Sequence, residues 1–360
     1  MLTRLPRTVL SADTELTQQR RSLAENPRDP ELALAVATRY VALGRQAGDP
    51  RYDGYAQAVL APWWDQDDAP AGLIRLRAKI KEKNHQYDDA RADLEALLKR
   101  SPRDAQAYTE IVNLHRVQGN YAAARRACEA MQDVAAPAQV LVAQIPLDAV
   151  TGRAEETYHA LAQLRPVAEQ QLPELLPWVT ALQAGVARSL GQVDQARHHF
   201  QQGLEHHPAD AYLLRAYADF LIDQKQPDAA IELLKNHLHD NGALLLSAIA
   251  ARRAGHQEQS DAWWGQLQQR FAAIRLRGGT PHGRFEARGV LALGGDPEHA
   301  LQLALANWEH QKEMRDTRNV LEAAIAAYQP EAARPALDFL KRHGTQDTDL
   351  QRLARRLDPK

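Results

Sequence analysis

The stretch GQVDQARHHFQQGLEHHP, residues 191–208, places four histidines within ten positions. Neutral imidazole is the commonest protein ligand for transition metals, so the first chemistry to weigh is metal binding. Spacing decides it. On a helix, adjacent His198 and His199 diverge by about 100°. His199 and His206 share a face but stand about 10 Å apart along the axis. Zinc needs each ligand nitrogen about 2.0–2.1 Å from one ion, so such a pair cannot chelate unaided. His206 and His207 fall where the helix ends, where a cation meets the negative end of the helix dipole favourably. The stretch is expected to be a solvated helix face with polar caps. A metal would need ligands from elsewhere in the chain, and neither metal nor cofactor is expected.

Other reactive patterns fare no better. HLH at 237–239 reads as a helix end before the turn HDNG. The GG pairs at 278–279 and 294–295 lack the spacing that cradles phosphate and read as turns between helices. There is no GxSxG, HExxH or CxxC. The lone Cys128 excludes an intramolecular disulfide and a multi-thiolate metal site. It occupies a helical slot equivalent to Leu94 and Phe200, which predicts a buried small hydrophobe. PWW at 62–64 and WW at 263–264 are expected to pack between helices. With no nucleophile–base or acid–base constellation to assemble, the chain is not expected to be an enzyme.

Composition narrows the class further. Of 360 residues, 44% are hydrophobic and 25% charged, enough to bury a substantial core. Lys plus Arg number 44 against 46 Asp plus Glu, so the basic excess of a nucleic-acid-coating protein is missing and no nucleic-acid partner is expected. Aromatics make up only 6%, which together with abundant alanine suits closely packed helices. No apolar run approaches the roughly 18 residues of a membrane span, so no direct membrane insertion is expected.

What must position these residues is an internal repeat. HQYDDARADLEALLKRSP (85–102) and GNYAAARRACEAMQDVAAP (119–137) superpose with an offset of 34. Further copies begin at Gly152, Gly191, Lys225, Gly255, Gly295 and Tyr328, at steps of 33, 39, 34, 30, 40 and 33. Each unit reads as a helix, a short turn containing Gly, Asn or Pro, and a second helix, which is an αα-hairpin. Five residues after the turn position comes a small residue (Ala90, Ala124, Ala196, Ala230, Ser260, Ala300), expected where the two helices approach most closely. One hairpin cannot bury both faces, so neighbours must stack.

On these residues the chain resembles the tetratricopeptide repeat family. The best single match is the histidine-rich stretch itself, where Gly191, Ala196, Phe200, Gly203 and Pro208 fall at the family's signature spacings. The aromatics typical of the family's first helix are frequently replaced, by Ile74, Leu141, Thr180 and Leu214. The resemblance implies an all-α fold, a right-handed superhelical solenoid of antiparallel helix hairpins with about eight repeats. Residues 1–29 are read as an N-terminal extension and lead-in helix, 30–69 as an irregular first hairpin, 70–342 as the array, and 343–360 as a capping helix and tail. GDPRYDGYAQAVLAPWW and the region from Arg270 to Asp316 resemble a bacterial subgroup whose members commonly carry an export leader. LTRLPRTVLSADTEL, directly after Met1, resembles their mature start, so the expectation is a periplasmic or otherwise exported protein whose leader has been removed, with cytoplasmic residence as the alternative.

In that family the first helices line a concave groove that receives peptides. Carrying the repeat across puts Arg75, Lys79, Asn113, Arg116, Trp178, Arg188, Tyr212, Arg215, Asp219 and Arg252 on the inner wall. The expected function is a non-enzymatic scaffold that binds a protein or peptide segment there, an envelope or membrane protein among the candidates, and assists assembly of an envelope-associated complex. The competing expectation is an accessory subunit, or a metal- or small-molecule-binding protein, with its site in the solenoid hollow.

Overall fold

The structure, a computed structural model, describes residues 14–47, 51–171, 175–276 and 282–358. The sequence resembling a mature start lies mostly outside these residues, as does the glycine pair at 278–279. Among the described residues there are helices and no strands. They are α1 (Thr14–Glu25), α2 (Pro30–Ala47), α3 (Arg51–Leu60), α4 (Ala71–Lys83), α5 (Tyr87–Arg100), α6 (Ala105–Val117), α7 (Tyr121–Met131), α8 (Pro137–Val150), α9 (Ala154–Gln171) and α10 (Leu176–Ser189). There follow α11 (Val193–His206), α12 (Ala211–Asp223), α13 (Pro227–Leu234), α14 (Asn241–Ala254), α15 (Gln257–Leu276), α16 (Gly283–Ala292), α17 (Pro297–His310), α18 (Met314–Ala326), α19 (Arg334–His343) and α20 (Thr348–Leu357). The fold is an all-α helical-repeat solenoid. None of the described helices is long and apolar enough to cross a membrane.

The turn inside each hairpin follows one backbone rule. His85, Gly119, Gly152, Gly191, Lys225, Gly255, Gly294 and Tyr328 all have positive φ, between 56° and 88°. The next N–H then reaches back five residues to a carbonyl of the first helix: Asn120 to His115 at 2.7 Å, Gln192 to Ala187, Gln226 to Leu221 and His256 to Ala251 at 2.9 Å. This left-handed cap satisfies carbonyls the helix end would otherwise orphan. It also corrects the sequence reading at one place. The left-handed residue is Gly294, not Gly295, because this turn carries one extra residue.

The small residue after each turn does what its size predicts. Ala90, Ala124, Ala196, Ala230, Ser260 and Ala300 are all fully buried. Cys128 is buried as well.

The chain divides into two compact units. The first comprises residues up to Leu114 together with Ala130–Ala135. In it α1 lies on α2, α2 pairs with α3, and α4 packs on both before pairing with α5. Arg77, on α4, is buried and forks onto Asp93 of α5 at 2.9 and 2.7 Å. Its other nitrogen takes the carbonyls of Trp63, Trp64 and Gln66, tying down the corner after α3.

The second unit comprises His115–Glu129 and Ala136 onward. Its first helices adjoin in series, α10 on α12, α12 on α14, α14 on α16 and α16 on α18. Phe200, Tyr217 and Phe220 form its aromatic centre, with Phe200 and Tyr217 stacked at 5.3 Å between ring centroids.

The repeat pattern does not reveal what the end of this unit packs against. Its last hairpin returns to the turns of the unit's early repeats. The Lys312 N–H donates to the Val117 carbonyl at 2.7 Å, and the Ala154 N–H donates to Gln346 Oε1 at 2.6 Å. Tyr121 packs on Phe339 and His343, with centroids 5.4 and 4.6 Å away. A Cβ on Gly119 would come within 2.8 Å of the Phe339 ring, and one on Gly152 within 3.1 Å of the Gly344 carbonyl oxygen. These turn glycines are thus required twice, for φ and for the close approach.

Candidate functional site

The ten wall residues separate into the two units. In the first, Arg75 on α4 pairs with Asp104, the residue that caps α6 by accepting from the Ala107 N–H at 3.0 Å. Asn113 donates to Glu82 at 2.7 Å, and Lys79 is exposed. Beside them sits Glu110, which the sequence reading passed over. Its Oε2 is buried without a hydrogen-bond partner. Burial pushes its carboxyl up to about 7, against the opposing pull of the Gln106 hydrogen bond, Arg75 and Lys79.

In the second unit the wall residues are largely engaged by the chain itself. Arg215 pairs with Asp240, the N-cap of α14, at 2.7 Å. Arg252 pairs with Asp261 in its own hairpin, and Arg116 approaches Glu313 at 3.5 Å. Trp178 is half-buried against a cluster that includes Ile145 and Val179. Tyr212 remains 56% exposed.

Asp219 departs most from an open wall position, being only 1% exposed. One of its oxygens accepts from Arg288 of α16 and the other from Arg188 of α10, at 2.9 Å. Arg188 also reaches Asp223 at 2.8 Å, and Arg318 of α18 forks onto Asp223 at 2.7 and 2.8 Å. Burial would raise the Asp219 carboxyl, but Arg288 and Arg188 overcome that and hold it well below the usual carboxylate range. Nearby, Arg284 of α16 grips Glu313 and Asp316. First helices from four hairpins therefore meet through guanidinium–carboxylate bonds, and Arg188 and Asp219 serve as internal struts.

The missed partners Arg284, Arg288 and Arg318 had a signal in the sequence. Arg75, Arg215, Arg284 and Arg318 each stand ten residues before their hairpin's left-handed residue, and Lys79, Asp219 and Arg288 stand six before it. Counting from Gly295 instead of Gly294 shifted Arg284 and Arg288 off that face.

The histidines need one correction. His206 and His207 are exposed, but His199 is only 8% exposed. Its Nε2 lies 3.0 Å from the Tyr158 hydroxyl of α9, so it packs between hairpins and is not solvated. Burial, reinforced by Arg165 and His198, lowers its pKa to about 4. The imidazole is neutral in the folded protein at pH 7, while the unfolded chain takes up its proton near 6.5. Its stabilisation is complete above about pH 6.5 and is lost as pH falls toward 4. The expected size is up to about 3 kcal/mol. Urea midpoints at pH 7 and 4.5 should converge by that much in His199→Gln relative to the wild type. An unchanged acid-side loss would show that His199 titrates freely. Among the described residues no three His, Cys, Asp or Glu side chains gather as a metal-binding group.

The stacked hairpins, with first helices adjoining in series, define a helical-repeat interaction protein. The tetratricopeptide repeat family matches residues 75–139 and again 187–251. Those two stretches of the chain are tetratricopeptide repeats. No curated protein sequence matches it. Among solved structures it is similar to one in the APC/C hetero-tetramer Cut9–Hcn1, at 11% identity, with 98% of this chain and 92% of that one covered and a TM-score of 0.34. It is also similar to one in Naa15/Naa10 bound to HypK-THB, at 14% identity, with 96% and 61% covered and a TM-score of 0.28.

Proposed function

We propose that this repeat protein is a non-enzymatic scaffold that holds a segment of another protein against the first helices of its second unit. The observation that carries the reading is Tyr212, a large aromatic more than half exposed at the start of α12, on a face otherwise rich in arginine. A rigid aromatic beside guanidiniums is the composition of an interface hot spot. The surrounding ion pairs hold that face in shape before any partner arrives, which reduces the ordering cost of binding.

The partner belongs, on this reading, to an envelope-associated complex, and the protein resides outside the inner membrane. Support for that location is the resemblance of GDPRYDGYAQAVLAPWW to an exported bacterial subgroup, and fractionation of the native protein tests it. For the scaffold itself, a partner recovered from native membranes should bind Tyr212→Ala about tenfold or more weakly, with the melting midpoint unchanged. Full affinity in Tyr212→Ala, with binding lost on changing Trp63 or Trp263 instead, would move the working face elsewhere.

A further inference from the structure

The second-helix side of α12 carries a feature that neither the struts nor Tyr212 uses. Tyr217 and Leu221 stand two residues either side of Asp219. They lie about 160° around the helix axis from it and so face away from the strut network. They floor a cleft of about 630 Å³ between the second helices α11 and α13. Arg197 of α11 lines one side, Ala229 and Leu233 of α13 the other, and the turn residue Lys225 one end. The lining is mainly apolar, and the volume falls within the roughly 300–1,000 Å³ of small-molecule sites.

Tyr217 is only 8% exposed, and among the described residues its hydroxyl makes no hydrogen bond. A hydroxyl on a side chain so enclosed is satisfied by what enters the cleft. Lys225 is held at the cleft by the left-handed turn, with φ of 58°, and its ammonium has no ion pair among the described residues. Arg197 lies over the Phe220 ring, 5.5 Å from its centroid, and donates from one nitrogen to Gln226 at 2.8 Å, which leaves the rest of its fork. The two acids of the lining are engaged elsewhere, Asp228 with His256 at 3.1 Å and Glu232 with Lys235. Both are exposed, where their repulsion of an anion is screened. The cleft thus offers donors from Tyr217, Lys225 and Arg197 above an apolar floor.

We propose that this cleft binds a small organic acid, an apolar body about the size of a phenyl ring that bears one carboxylate. The body rests on Tyr217, Leu221 and Leu233, and the carboxylate accepts from the Tyr217 hydroxyl and meets the charges of Lys225 and Arg197. The inference goes beyond the scaffold reading and does not depend on it, because α11 and α13 are second helices and the proposed partner face belongs to the first ones.

The test titrates the full chain with 3-phenylpropionate, followed by saturation-transfer NMR of the ligand. Saturable binding is expected with a Kd of about a millimolar or tighter, ordinary for so small a ligand. Phenethylamine keeps the ring and reverses the charge, and propionate keeps the charge and lacks the ring. Each should bind at least about tenfold more weakly. Ala229→Trp, which fills the cleft from an exposed position on α13, should abolish binding. Tyr217→Phe and Lys225→Gln should each weaken it about fivefold or more, with melting midpoints close to wild type. Arg126→Gln, at an exposed position on α7, should leave it unchanged. The proposal is overturned if 3-phenylpropionate shows no saturable binding, or if phenethylamine or propionate binds as well. It is also overturned if Tyr217→Phe and Lys225→Gln both bind like wild type, or if Arg126→Gln loses as much as they do. Should Ala229→Trp fail to fold, those two variants decide the matter by themselves.

Discussion

Asp219→Asn is expected to cost about 3–5 kcal/mol, the range for breaking a buried charge pair from one side. The residue is almost wholly buried and holds Arg288 and Arg188 at once. An amide in its place keeps the shape but leaves those guanidiniums facing one another without the charge that offsets their desolvation. The effect should be far larger than at an exposed pair. Arg252 with Asp261, whose carboxylate is largely in solvent, should change stability by no more than about 0.5 kcal/mol when Arg252 becomes Gln. Urea midpoints of the two variants decide the matter. Equal small losses would mean that Asp219 is not a strut and that the four first helices are held together by apolar contact alone.

Phe200→Ala should be the other severe variant, with a loss of about 3–5 kcal/mol. Phe200 is fully buried on α11, stacked on Tyr217 and tilted against Phe220 at 5.6 Å, so truncation opens a cavity where two hairpins meet. On the same helix and just beyond its end, His206 and His207 are exposed, and changing both to Gln should stay within about 0.5 kcal/mol. Chemical denaturation of the two variants side by side reads out the register of the repeat. If the histidine pair costs as much as Phe200, α11 presents a different face to the core.

Much of this fold was legible because each hairpin is a local object. The turn residue, the small residue five positions on and the larger one a turn later lie within a dozen residues, so spacing alone located Ala196 at a fully buried crossing. Gly294 shows the limit of counting. One extra residue in a turn leaves the hairpin intact but rotates the apparent face of the helix before it, and this hid Arg284 and Arg288. His199 was misread for a different reason. Its burial depends on Tyr158, 41 residues earlier, and on how one hairpin leans on the next. The same holds more strongly for the pairing of Arg318 with Asp223, 95 residues apart, and of Gln346 with Ala154, 192 apart. Small rotations per repeat accumulate into the curvature that brings such residues together, and no local pattern encodes their sum.

That curvature also changes what the inner wall can do. Residues selected as an open charged groove turn out to hold the unit together, through Arg188 and Asp219 above all. On the scaffold reading proposed above, the surface left for a partner is narrower and centred on the exposed Tyr212. Its ionic share should weaken as salt rises, since half-buried charges are screened less than exposed ones but not shielded completely.

Site-specific photo-cross-linking tests the scaffold account most directly. A benzophenone amino acid placed at Tyr212 in the full-length protein, irradiated in cells of the native host, should give one dominant covalent adduct with another protein. The same group at Gln201, exposed on α11, should not give it. An adduct equally strong from Gln201, or none from position 212 while Gln201 still captures the partner, would contradict the assignment of this face as the binding surface.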